Sequence, residues 1–251
     1  MKTPLPLLAV IVFAGSLAAV EATNRLETTL SAGVGLTDGN SETLQANARL
    51  VTEGERDRLG SFKVGIDFNY GETTTDGVDE TTVNNVKGFA NARKTLTEKT
   101  FAYFDLSLAH DDVADLNYRL TVGPGLGLFL VKSDSSKLAL EAGPTFVSEE
   151  KADEQDEYLA LRFAENGELR FPGGAKIWEA VEYLPQADDF DRYLLNAELG
   201  AEASLNSRLS LRLVLQDKYD SQPAAGRERN DLSLIGGIGV KTFPGFDESE
   251  F

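Results

Sequence analysis

Leu209-Ser210-Leu211-Arg212-Leu213-Val214-Leu215-Gln216 sets leucine at every second position against serine, arginine, valine and glutamine. A repeat of two cannot line one face of a helix, but it gives a strand two unlike faces. One face is wholly apolar, and the other bears a guanidinium that needs water or a partner. Two folds use such a strand. A soluble sheet turns its leucines inward, whereas a membrane-spanning barrel turns them to lipid and lines its lumen with the polar row.

The same alternation recurs on both sides of this stretch and predicts twelve strands. Preceding it are Leu26–Leu36, a strand from Glu42 through Leu50, Phe62–Tyr70, Val83–Thr95, Thr100–His110, Asn117–Val131, Leu138–Phe146, Glu157–Phe171, Ile177–Leu184 and Tyr193–Ser204; Asn230–Phe243 follows it. Ten of these show one apolar face and one charged face. The Glu157–Phe171 segment puts Glu165 among its apolar residues unless a β-bulge shifts the register, and Ile177–Leu184 carries a glutamate on each face, Glu179 and Glu182. A soluble twelve-stranded barrel lined with leucine would enclose a cavity that side chains cannot fill. The pattern therefore favours an all-β, transmembrane, antiparallel up-and-down barrel of about twelve strands, with a soluble two-sheet sandwich as the alternative.

Met1–Ala22 has Lys2, an apolar run and the small residues Ala18, Ala19 and Ala22, the form of a cleaved export signal. Residues 23–251 then form a single barrel domain, since no later run is long and apolar enough for a spanning helix. Only a closed barrel satisfies a strand backbone in lipid. The chain has no cysteine, which excludes disulfides and thiolate chemistry, and its formal charge of −17 argues against a nucleic-acid partner. The connections alternate in character. Those leaving odd-numbered strands are strongly acidic and the others are net basic, as two rims facing different compartments require.

The polar faces predict a lumen lined by Arg49, Lys63, Asp67, Lys87, Arg93, Asp105, Arg119, Glu141, Glu198, Glu202, Arg212 and Lys241. Seven are basic and five acidic, a balance that suits either a paired network or a narrow polar channel. Gly123, Gly125 and Gly127 precede no helix and so form no phosphate cradle; they make room for bulky neighbours such as Arg119 or Tyr103. The only histidine, His110, lies three residues from Ser107 and on the opposite strand face, which defeats a serine–histidine pair. The acidic run Glu149–Glu157 lacks the spacing of a calcium loop. No catalytic, cofactor or metal site is predicted.

Trp178–Pro185, Tyr193–Glu198, Leu209–Arg212 and above all Asp217-Lys218-Tyr219-Asp220-Ser221-Gln222-Pro223 resemble the salt-induced outer membrane protein family of Gram-negative β-barrels. Leu36–Thr43 and Leu138–Pro144 are similar to it as well. The resemblance implies a non-enzymatic barrel in the outer membrane with a link to salt or osmotic conditions. Its partners would be membrane lipid, the barrel assembly machinery and small solutes or ions. The polar tail after Phe243 departs from the usual C-terminal assembly signal, which points to Phe243 as the strand end. Outside this reading stand a phospholipase-like outer-membrane lipid hydrolase and a soluble periplasmic binding protein.

Overall fold

The computed structural model describes residues 25–37, 41–56 and 60–241. Met1–Ala22 and Phe243, on which the export and assembly signals were placed, lie outside the described residues. The strands are β1 (Arg25–Thr37), β2 (Ser41–Arg56), β3 (Gly60–Thr75), β4 (Val78–Thr95), β5 (Thr100–Asp111) and β6 (Leu116–Lys132). The chain continues through β7 (Ser136–Lys151), β8 (Glu154–Arg170), β9 (Lys176–Pro185), β10 (Tyr193–Ser204), β11 (Leu209–Asp220) and β12 (Asn230–Lys241). Each strand pairs antiparallel with its sequence neighbours, and β1 pairs with β12 from Thr29↔Lys241 to Ala32↔Ile238, so the sheet closes into a barrel. Closure removes every sheet edge. It also replaces the two-sheet sandwich.

Register follows the alternation, because a slip of one residue would exchange the two faces along a whole strand. On β11 Leu209, Leu211 and Leu213 are exposed on the outside while Ser210 and Val214 are buried within. Leu30, Val34, Ile66, Phe68, Leu108, Leu126, Leu130, Leu234 and Ile238 extend the exposed apolar band around the ring. Such a surface far exceeds the patches that soluble monomers leave in water.

One expectation is corrected and one alternative is closed. The acidic segments Gly71–Thr81 and Glu149–Glu157 are mostly ladder rather than loop: β3 and β4 run to the tight turn Asp76-Gly77, and β7 and β8 to Ala152-Asp153. All four turn residues have positive φ, between 50° and 73°, the backbone of the hairpin turn whose twist matches its strands. Thr74 Oγ1 donates to Asp79 Oδ1 across the first of these extensions at 2.7 Å. No bulge repairs β8 either. Its register against β7 and β9 is continuous through Glu165↔Val181, so Glu165 stays on the outer face, joined there by Glu179 opposite Gly167, whereas Glu182, opposite Ala164, faces inward.

The lumen as candidate functional site

Ten of the twelve residues expected inside, Arg49, Lys63, Asp67, Lys87, Arg93, Asp105, Glu141, Glu198, Glu202 and Arg212, line one interior cavity of about 740 Å³. Arg119 lies beyond it, near the rim formed by the acidic connections. Lys241 pairs with Thr29, but its side chain is outside the described set. The cavity reaches the β8–β9 turn at Phe171, Gly174 and Ala175. At its other end the lining stops at Asn69, Asn85, Ser107 and Lys218.

Every described arginine on the cavity wall holds a carboxylate. Arg49 joins Asp67 at 3.1 Å and, four strands away around the ring, Glu198 at 3.4 Å. Glu198 also accepts from Trp178 Nε1 at 2.6 Å and from Gln216 Nε2 at 3.0 Å. Arg212 and Lys176 share Glu202 at 3.5 and 3.8 Å. Arg93 on β4 and Arg162 on β8 meet on Glu141 at 2.6 and 2.8 Å, and Arg162 turns its Nε to Glu182 at 2.6 Å. At the β8–β9 turn Arg170 holds Glu168 at 2.6 Å. The Glu141 side chain is wholly inaccessible. Two guanidinium groups stand around it where water would otherwise be.

The guanidinium groups are aimed by a repeated three-part device. A glycine on one strand lets an aromatic ring from the next lie flat on the wall, and an arginine stacks on the ring's inner face. A Cβ at Gly125 would fall 2.2 Å from Tyr103 Cζ, at Gly127 2.1 Å from Phe101 Cζ, and at Gly200 2.0 Å from Trp178 Cζ2. Arg162 lies 5.0 Å from the Tyr103 ring, Arg93 5.1 Å from Phe101, and Arg212 5.0 Å from Trp178. Gly65, Phe89 and Arg49 form a fourth set, with the guanidinium 5.6 Å from the ring. Gly125 does make room for Tyr103, as expected. The bulky neighbour of Gly127 is Phe101, and Gly123 packs against the Pro144–Thr145 backbone instead.

Beyond the cavity, toward the acidic rim, the lumen is bridged from wall to wall. Arg119 on β6 donates to Glu149 at 2.5 Å and to Asp220 on β11 at 2.9 Å. Four strands stand between β6 and β11 along the shorter arc, so this pair spans the barrel. Lys151 reaches Asp220 at 3.1 Å, while Arg192 meets Glu149 at 3.2 Å and also pairs with Asp156. Beside the network Val147, Ala160, Leu184 and Leu194 fill the inside of β7–β10, with Tyr158 packed against them. At the opposite rim the crossing pair Lys137–Glu55, 3.3 Å, has side chains 34% and 45% exposed and so constrains little.

A family described as "Protein of unknown function, DUF481" matches residues 30–241. The chain belongs to that family. No curated protein matches the sequence. Among solved structures, the NanC porin is 8% identical over 86% of this chain and 100% of its own, with a TM-score of 0.52. The KdgM porin is 11% identical over 87% and 99%, with a TM-score of 0.47. An outer membrane channel from Pseudomonas putida F1 is 12% identical over 92% and 100%, with a TM-score of 0.48. At such identities the likeness is one of fold.

Within this DUF481 barrel the strand register turns Lys218 and Asp220 of the Asp217–Pro223 segment into the lumen, and Asp220 is the acceptor at the bridged end. The alternation ends at Gln216 although β11 runs on to Asp220, so the pattern does not mark Asp220 as a lumen residue. Arg162 is a lumen residue outside the expected twelve, although the parity of Leu159, Leu161 and Phe163 turns position 162 inward. Ser107 bonds Thr121 inside the barrel at 2.8 Å, whereas His110 is held at the rim by the Asn117 carbonyl and Asp112, both at 2.9 Å. The two side chains do not face each other. Among the described residues, no group of three His, Cys, Asp or Glu side chains is arranged to hold a metal ion.

Proposed function

We propose that this barrel sits in a Gram-negative outer membrane, without enzymatic activity, as a narrow passive channel held shut at its acidic rim by ion pairs. The observation that carries the reading is the Arg119–Asp220 contact of 2.9 Å across the lumen, at the end of a charge-lined cavity that otherwise continues to the opposite rim. Membrane placement is supported by the exposed apolar band and by a row of outer-face rings near the acidic rim. Phe163 and Tyr183 are 6.5 Å apart, Tyr183 and Tyr193 5.4 Å, and Tyr193 and Tyr219 5.5 Å. Aromatic girdles of this kind mark the boundary between hydrocarbon and headgroups.

Removal of Met1–Ala22 on export, assembly by the barrel machinery, and small ions or solutes as cargo belong to the same proposal. So does a link to ionic conditions. Added salt shortens the screening length from about 8 Å at 0.15 M to about 3 Å at 1 M, which weakens the partly exposed pairs at the rim. The first test is reconstitution into phospholipid vesicles. Protein that floats with the vesicles after an alkaline or urea wash, and migrates differently on a gel before and after boiling, is the expected result. Extraction by the wash without detergent contradicts the membrane placement.

A further inference from the structure

We infer that the β11–β12 loop is a lid over the lumen and that Lys151, at the tip of the β7–β8 hairpin, is the strap that holds it closed. This rests on the channel reading and specifies how that channel is regulated.

The fixed side of the device is well anchored. Lys151 is the last residue of β7, next to the tight turn Ala152-Asp153, and the Ala152 N–H donates to the Asp115 carbonyl at 2.9 Å, tying the hairpin tip to the β5–β6 turn. The Lys151 side chain is only 15% exposed. Its ammonium crosses the rim to donate to Asp220 Oδ2 at 3.1 Å and to the Gln222 carbonyl at 2.6 Å.

The other side is held mainly at its base. Asp220 N–H donates to the Arg229 carbonyl at 2.8 Å, Ser221 N–H to the Tyr193 carbonyl at 3.0 Å, and Tyr193 N–H to Ser221 Oγ at 2.7 Å. The first closes the base of the loop, and the other two fix the hinge on β10. Further out, Gln222 N–H bonds Asp220 Oδ1 at 2.8 Å and Arg227 N–H the Ala224 carbonyl at 3.0 Å, both local to the lid. Among the described hydrogen bonds, the only one that reaches residues 222–228 from another strand is the one from Lys151. Ala224 is nevertheless only 6% exposed, so the lid lies against protein instead of standing in water. Releasing this ammonium, which also pairs with Glu149 on its own strand at 3.5 Å, frees residues 222–228 of the lid, while Arg119 still holds Asp220 at the hinge and the ion pairs deeper in the cavity, from Arg49 to Glu198 and from Arg162 to Glu141, stay intact.

The test is KCl current through the full barrel in a planar bilayer, with gel migration confirming that each variant folds. Lys151→Gln raises the current several-fold over wild type, with rapid openings and closings, and Lys151→Arg keeps it low. The natural chain has no cysteine, so Lys151→Cys with Gln222→Cys can be joined by a reducible bifunctional thiosulfonate. The joined form passes wild-type current, and dithiothreitol raises it to the Lys151→Gln level. If Asp220→Asn opens the barrel while Lys151→Gln and reduction of the joined pair change nothing, the strap is wrong and the channel reading stands. If no variant raises the current, both fail.

Discussion

Replacing Arg162 with alanine lowers the unfolding free energy by about 3–5 kcal/mol, the range for a buried ion pair that loses one partner. Arg162 serves two carboxylates, Glu141 at 2.8 Å and Glu182 at 2.6 Å, and its own side chain is 8% exposed. Its removal leaves Glu141 with Arg93 alone and Glu182 with the neutral Asn196 amide at 3.3 Å. Because the site faces a wet cavity, water repays part of the loss to Glu182 but little of that to Glu141. The measurement is urea-dependent folding into vesicles. Arg162→Ala combined with Glu182→Gln recovers part of the loss, since the second change removes one of the stranded charges. A midpoint for Arg162→Ala within error of wild type would show that the network is not structural.

The second large effect is expected at Gly200, where the whole change is one methyl group. Its Cβ would lie 2.0 Å from Trp178 Cζ2 and 2.1 Å from Cε2, so Gly200→Ala forces the indole off the wall. The ring then loses its place under Arg212 and its 2.6 Å bond to Glu198. Overpacking costs about 1–3 kcal/mol, and a lost hydrogen bond to a charged group adds about 1.5–3 kcal/mol. Trp178 is the chain's only tryptophan, so its fluorescence reports the event directly. A red-shifted emission together with lower stability is expected; an unchanged spectrum would mean that Gly200 is not the ring's seat.

What the sequence made legible follows from where each residue sits relative to the apolar band. Leu209 to Leu215 could be read because these residues stand in the outward apolar band and alternate there with inward polar ones, and the same holds for Phe62 to Phe68. The upper parts of β3, β4, β7 and β8 stand above the band, where threonine and glutamate are as acceptable outside as inside. Alternation vanishes there although the ladder continues. Asp76-Gly77 is a recognisable hairpin turn, but Ala152-Asp153 adopts the same positive φ with no glycine to announce it.

The lumen was legible one residue at a time and not as contacts. Arg49 and Glu198 are both inward by parity, yet their meeting depends on β2 and β10 approaching around the β1–β12 seam. Arg162 was obscured by Glu165, whose place on the outer face argued against the register that the structure adopts. Asp220 was hidden because β11 runs four residues past Gln216, through a polar stretch that has the composition of a loop.

The most direct test of a lumen closed at one rim by charge pairs is single-channel current in KCl, comparing wild type with Arg119→Gln/Asp220→Asn. Wild type inserts and passes little current. The double variant, which removes both ends of the 2.9 Å contact while leaving the cavity below it unchanged, conducts several-fold more. An inserted double variant as silent as wild type, or a wild type already open and indifferent to the two substitutions, would contradict the closure.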